Sequence, residues 1–130
     1  MKHIAILLAV TSVALTGCDA WFSRRMDVVI SSHMVVGISE TSASRLVGSI
    51  REYASANGIA CSASDGLPIE CFRQPIRIWA VATESGATVC YSAMGIPLES
   101  SKFERRMNEL EGTLVKAMGR AAVSIQSGDC

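Results

Sequence analysis

Apolar and polar residues alternate along the chain from Met26. Met26, Val28, Ile30, Met34, Val36 and Ile38 fall on one side of an extended backbone, interrupted only by Ser32. Asp27, Ser31 and His33 fall on the other side with Val29, Val35 and Gly37. A period of two predicts a half-buried strand. The run is long for a single strand, so a bulge or break is expected near Ser31-Ser32. The period then lengthens. Ala43, Leu46, Val47, Ile50, Tyr53 and Ala54 recur at helical spacing, and Asn57-Gly58 supplies a stop signal, which predicts a helix over 41–56.

Residues 59–63 and 69–72 read as two short strands on either side of an Asp65-Gly66 turn. Residues 76–83 and 87–93, rich in branched and aromatic side chains, read as a hairpin around Ser85-Gly86. A second helix is expected to open at Ser101, with Glu104 three residues on completing a capping box. Phe103, Met107, Leu110, Leu114 and Met118 form its buried stripe and Gly119 ends it. Residues 121–126 make a last strand, with Val123 and Ile125 on one side.

The predicted order is strand, helix, several strands, helix, strand. It resembles the split β-α-β or ferredoxin-like sandwich, an α+β fold in which two helices cover one face of an antiparallel sheet. Such a fold hosts many functions and selects none.

Ahead of Met26 the apolar residues follow a different logic. Lys2 precedes a charge-free run over 4–15, and Thr16-Gly17-Cys18 follows. Charged region, apolar region and small residues in that order are the layout of a secretory signal. The run is shorter than the roughly 20 residues a bilayer-spanning helix needs, so it is expected to be cleaved rather than retained. Leu15-Thr16-Gly17-Cys18 resembles the lipobox of bacterial lipoproteins, and this likeness covers residues 1–18 only. It implies that the Cys18 thiol takes a diacylglyceryl group, that cleavage falls before Cys18, and that its new amine is acylated, for example with palmitate. Two or more acyl chains anchor a protein stably where one does not. An ordinary signal peptide cut elsewhere, after Ala20, is the alternative.

The expected organisation is a cleaved signal over 1–17, a lipidated tether over 18–25 and one globular domain over 26–130. In the tether, Trp21 and Phe22 suit the lipid headgroup layer and Arg24-Arg25 suit anionic lipid, unless the two aromatics pack on the domain instead. Aspartate directly after the lipidated cysteine is associated with retention in the inner membrane of enteric bacteria, and Asp19 stands there. The envelope, facing the periplasm, is therefore the expected location.

The cysteines agree with export. There are five, and consuming Cys18 leaves Cys61, Cys71, Cys90 and Cys130. Four cysteines in a small exported domain read as two disulfides, with three connectivities possible. No pair has the spacing of a structural zinc site or of a Cys-x-x-Cys redox centre. A hairpin about Asp65-Gly66 would bring Cys61 to Cys71 and leave Cys90 for Cys130, whose tail includes Ser127 and Gly128.

Charge and motifs narrow the function. Twelve basic and twelve acidic residues balance, so no net field draws the chain to nucleic acid. There is no phosphate loop, no Gly-x-Ser-x-Gly elbow and no His-Glu-x-x-His, and no metal or cofactor is implied. His33 is the one histidine left after cleavage, and it shares its strand face with Asp27 and Ser31. Glu70, Glu84 and Glu99 stand at strand ends, and nothing in the sequence brings them together as a catalytic pair. Arg105-Arg106, beside Glu104 and Glu109, reads as ordinary solvated helix charge. Arg73, Arg77 and Trp79 around Pro75 make the best partner-binding patch, since arginine and tryptophan are enriched at binding hot spots. A protein-binding or inhibitory, immunity-like module is therefore expected rather than an enzyme. A small structural part of an envelope secretion or conjugation machine is the alternative.

The anchor is tested by Cys18→Ser. A hydroxyl lacks the nucleophilicity of the thiol at lipid transfer, so palmitate labelling of the protein should vanish. Labelling that persists in Cys18→Ser excludes the lipobox reading.

Overall fold

The structure is a computed structural model and describes residues 20–30, 36–95, 100–126 and 130. Strand β1 (Ala20–Val29) is followed by helix α1 (Val36–Ala56) and then by β2 (Ala60–Cys61), β3 (Ile69–Arg73), β4 (Ile76–Ala82) and β5 (Gly86–Gly95). Helix α2 (Ser100–Met118), a 3₁₀ turn (Arg120–Ala122) and β6 (Val123–Gln126) complete the chain. The strands form one sheet in the order β2-β3-β4-β5-β1-β6, and every neighbouring pair is antiparallel. The class is α+β, with two helices on an antiparallel sheet of six strands.

Alternation decides which side of the sheet the helices cover. Met26 and Val28 of β1, Ile78 and Ala80 of β4, and Val89 and Tyr91 of β5 are all buried. They are also opposite one another, with Met26 facing Val89, Ala80 facing Val89 and Ile78 facing Tyr91. Leu46, Val47, Ile50 and Tyr53 of α1 and Phe103, Met107, Leu110 and Leu114 of α2 close over them in one core. Leu46, Leu110 and Leu114 are fully enclosed, so cutting any of them to alanine would cost about 2–5 kcal/mol. The two helices are also joined directly, because the Tyr53 hydroxyl donates to the Arg106 carbonyl at 2.8 Å.

The first strand differs from its expected position. It begins at Ala20, so residues 20–25, expected as tether, belong to the sheet. The period of two runs through them as well. Phe22 and Arg24 share the helix side with Met26, and the charges of Arg24-Arg25 disguise the alternation. Arg24 reaches Glu104 of α2 at 2.7 Å, and that helix begins at Ser100, one residue before the Ser101 expected to open it. At its other end β1 stops at Val29 rather than continuing to residue 38. The ladder with β5 ends where Val29 pairs with Gly86, the first residue of that strand. The amide of Ile30 makes a last bond to the Ser85 carbonyl at 2.9 Å. A Cβ at Gly86 would collide with the Val28 carbonyl oxygen, which is why that turn position is glycine. Val36 and Ile38 enter α1, which starts five residues earlier than the expected 41. Ser31, Ser32, His33 and Met34 lie outside the described residues.

The remaining elements follow the sequence pattern closely. Cys61 and Cys71 are paired in register across β2 and β3 and form a disulfide, with a Cα separation of 3.9 Å. Arg51 of α1 holds that loop from the helix side by donating to the carbonyls of Ser62 and Ser64. Cys90 is bonded to Cys130, with a Cα separation of 5.9 Å. Residues 121 and 122, expected within the last strand, belong instead to the 3₁₀ turn; Val123 is buried whereas Ile125 is exposed.

The two disulfides close loops of unequal length, with sequence separations of 10 and 40. Loop-closure entropy assigns about 3 kcal/mol to the shorter and about 4 kcal/mol to the longer. Removing Cys90–Cys130 by paired substitution to serine and alanine should therefore lower the urea midpoint further than removing Cys61–Cys71. The reverse order would show that unfolded-chain entropy is not the controlling term.

Candidate functional site

Helices α1 and α2 cover one side of the sheet, and no described helix covers the other. Residues that alternate with the core positions point there: Glu70 and Phe72 of β3, Arg77, Trp79 and Val81 of β4, Thr88 and Cys90 of β5, and Arg25 and Asp27 of β1. Phe72 is 57% exposed and Val81 36% exposed, high values for large apolar side chains within strands. Cys90, by contrast, is fully buried on this side. It lies between Trp79 and Arg25 in register and carries Cys130.

The most organised part of the open face is at β3 and β4. Glu70 lies opposite Trp79, and Phe72 opposite Arg77. Arg77 Nε donates to Glu70 Oε1 at 3.0 Å, and the guanidinium carbon sits 6.0 Å from the centre of the Trp79 ring. An exposed ion pair contributes about 1 kcal/mol at most, and an exposed cation–π contact about 0.5–1 kcal/mol. Folding therefore gains little from the arrangement. Its main effect is to fix a planar cation beside a tryptophan face. A shallow depression of about 320 Å³, lined by Ser62, Pro68, Ile69, Glu70, Arg77, Trp79 and Val81, runs beside them.

Arg77 and Trp79 are thus brought together as the sequence suggests, and Arg73 is not. It follows Ile69 and Cys71 in phase and turns to the helix side, where its Nη1 approaches the carbonyls of Asn57 at 3.4 Å and Gly58 at 3.5 Å. These carbonyls follow the end of α1, where helix termini leave acceptors unpaired, so Arg73 works as a brace there. Asp27 accepts from Thr88 Oγ1 at 3.0 Å and stands 3.8 Å from Arg25 Nε. Glu70 is engaged by Arg77, and Glu84 is exposed in the turn before β5. Cys18, His33 and Glu99 lie outside the described residues. Among the described residues no three histidine, cysteine or acidic side chains are grouped to hold a metal ion. No helix among them is long and apolar enough to cross a membrane.

A second concavity lies on the helix side, at the end of the sheet where β1 begins. Phe22, Tyr91, Met94 and Phe103 line a cavity of about 270 Å³ whose margin carries Lys102 and Arg106. The Phe22 and Phe103 rings are 5.5 Å apart, and those of Tyr91 and Phe103 5.4 Å. An adjoining hollow of about 260 Å³ is lined by Asn57, Arg73, Gln74, Pro75, Ile76 and Arg106. Sequence reading assigns Arg106 to ordinary helix charge. The available signal was its spacing: Lys102 and Arg106 are four apart and flank Phe103 and Met107 of the buried stripe. The link from Arg106 to the Phe22 end of β1 is a tertiary fact with no local trace.

No protein-family model and no curated protein matches this chain.

Burial raises the Tyr53 hydroxyl well above its ordinary value of about 10, and Tyr91 and Glu109 add to the rise. Tyr91 is also raised by burial, against the opposing effect of Arg106 and Tyr53. The folded state keeps protons that the unfolded chain releases above pH about 10. The associated stability is complete below that pH and is lost as pH rises past it. Urea midpoints followed from pH 8 to 11 should fall more steeply in wild type than in Tyr53→Phe. At neutral pH the same substitution removes the hydrogen bond to the Arg106 carbonyl, worth about 1 kcal/mol. Parallel pH curves would mean that Tyr53 does not titrate as a buried group.

Proposed function

We propose that this protein is a lipid-anchored module of the bacterial envelope that binds a protein partner through the open face of its sheet. The observation that carries the reading is the fixed Arg77–Trp79 pair, bordered by exposed Phe72 and Val81 on a side no described helix covers. Tryptophan and arginine dominate hot spots at protein interfaces. A tryptophan held half-buried by its neighbours also loses little conformational freedom on binding. The lipobox-like residues supply the anchor. Cys18 is two residues from the start of β1, so at full extension about 7 Å of chain separates an acylated Cys18 from the sheet. A domain held so close to the bilayer would meet its partner at the membrane, and Asp19 favours the inner one. Capture or inhibition of a periplasmic protein, in the manner of an immunity lipoprotein, suits such a site.

Affinity capture from envelope extracts, with wild type and Trp79→Ala compared side by side, tests the reading. Trp79 is at the surface of the sheet, so the variant should keep its thermal midpoint within a few degrees. Proteins recovered with wild type should bind Trp79→Ala with at least about 2 kcal/mol less affinity, roughly a thirtyfold loss. Recovery of the same proteins at equal affinity would remove the open face from consideration.

A further inference from the structure

The concavity at the helix side has two chemically different halves joined at Arg106. One half is apolar, walled by Phe22, Met94 and Phe103. The other is polar and cationic, with Asn57, Arg73 and Gln74 around the same arginine. Among the described residues, neither Lys102 nor Arg106 has a carboxylate within ion-pair distance, although Glu104 and Glu111 on the same helix are paired with Arg24 and Arg120. Glu109 is the acidic group that acts nearby, on the buried Tyr53 and Tyr91 hydroxyls. Cations at the margin of an apolar cavity, without an ion-pair partner among the described residues, complement a ligand that is anionic at one end and apolar along the rest. Separately each hollow is slightly below the roughly 300 Å³ at which small-molecule sites begin, and together they fall within that range.

We infer that this groove binds a single-chain anionic amphiphile of the fatty-acid class, its alkyl chain against Phe22, Met94 and Phe103 and its carboxylate at Arg106 and Lys102. The apolar half suits one chain rather than the two of a bilayer phospholipid. The site is on the opposite side of the sheet from Trp79, so it stands independently of the partner-binding reading. Arginine suits the anion because its planar fork can meet both carboxylate oxygens. The Arg106 carbonyl, which receives the Tyr53 hydroxyl, is backbone and survives substitution of the side chain.

The test is titration of the full protein, held in phosphatidylcholine nanodiscs, with decanoate carrying a ¹³C carboxyl label, empty nanodiscs being subtracted. The bound carboxylate should show its own resonance. Affinity should rise from hexanoate to decanoate, and decanol and acetate should compete at least tenfold less well. Arg106→Gln should weaken decanoate about tenfold or more, Lys102→Gln less, and Arg106→Lys should restore part of the loss. Trp79→Ala should bind decanoate as wild type does. Equal binding by Arg106→Gln, competition by acetate as strong as by decanoate, or binding only to phosphatidylglycerol vesicles would each overturn the inference.

Discussion

The pairing of β1 with β5 is the interaction on which the other parts rest. Ten residues of each strand are in register, from Ala20 opposite Gly95 to Val29 opposite Gly86. That register puts Met26 and Val28 under the helices and Arg25 and Asp27 on the open side. A slip of one residue would exchange the two sets and leave two charges in the core. It also puts Phe22 next to Ala93 at the mouth of the groove, and Arg25 next to Cys90, where Cys130 attaches. Both concavities and both disulfide-bearing regions are therefore positioned, directly or through β4, by one ladder of backbone hydrogen bonds.

Much of this was legible in the sequence where burial alone sets the pattern. The stripe Phe103, Met107, Leu110, Leu114 and the set Leu46, Val47, Ile50, Tyr53 each mark one face of a helix, and each is buried as its spacing predicts. The Ser85-Gly86 turn was readable for a different reason, since only glycine tolerates the approach of the Val28 carbonyl. The ends of β1 were not readable. Arg24 is in phase with the core residues but is held by Glu104, eighty positions away, and no local rule reports such a partner. The apolar alternation does not fix the other end either, because a strand needs a neighbour as well as a pattern: the ladder with β5 ends at Val29, and Val36 and Ile38 are helical.

The candidate sites divide along the same line. Arg77 and Trp79 can be paired from sequence because residues two apart on one strand share a face whatever surrounds them. Arg73 is close to them in sequence, but across the intervening turn at Gln74-Pro75 it falls on the opposite side of the sheet. Arg106 reads from sequence as ordinary helix charge because its setting comes from the approach of Phe22 and Tyr91, which belong to two different strands. Sites carried by one element can be read from sequence, whereas sites assembled from several require the fold.

The interior place of β1, paired on both sides, has a mechanical consequence. Tension applied through the chain ahead of Ala20 would act along a strand flanked by β5 on one side and by β6 on the other. Because the load is parallel to both ladders, their hydrogen bonds would have to yield together in shear instead of opening one after another, as they would at a sheet edge. Under pull, the rate of unfolding governs survival rather than the equilibrium between states. A domain tugged from its first strand in this geometry is loaded along its ladders, and the disulfide-braced edge at β2 lies four strands away from the line of force.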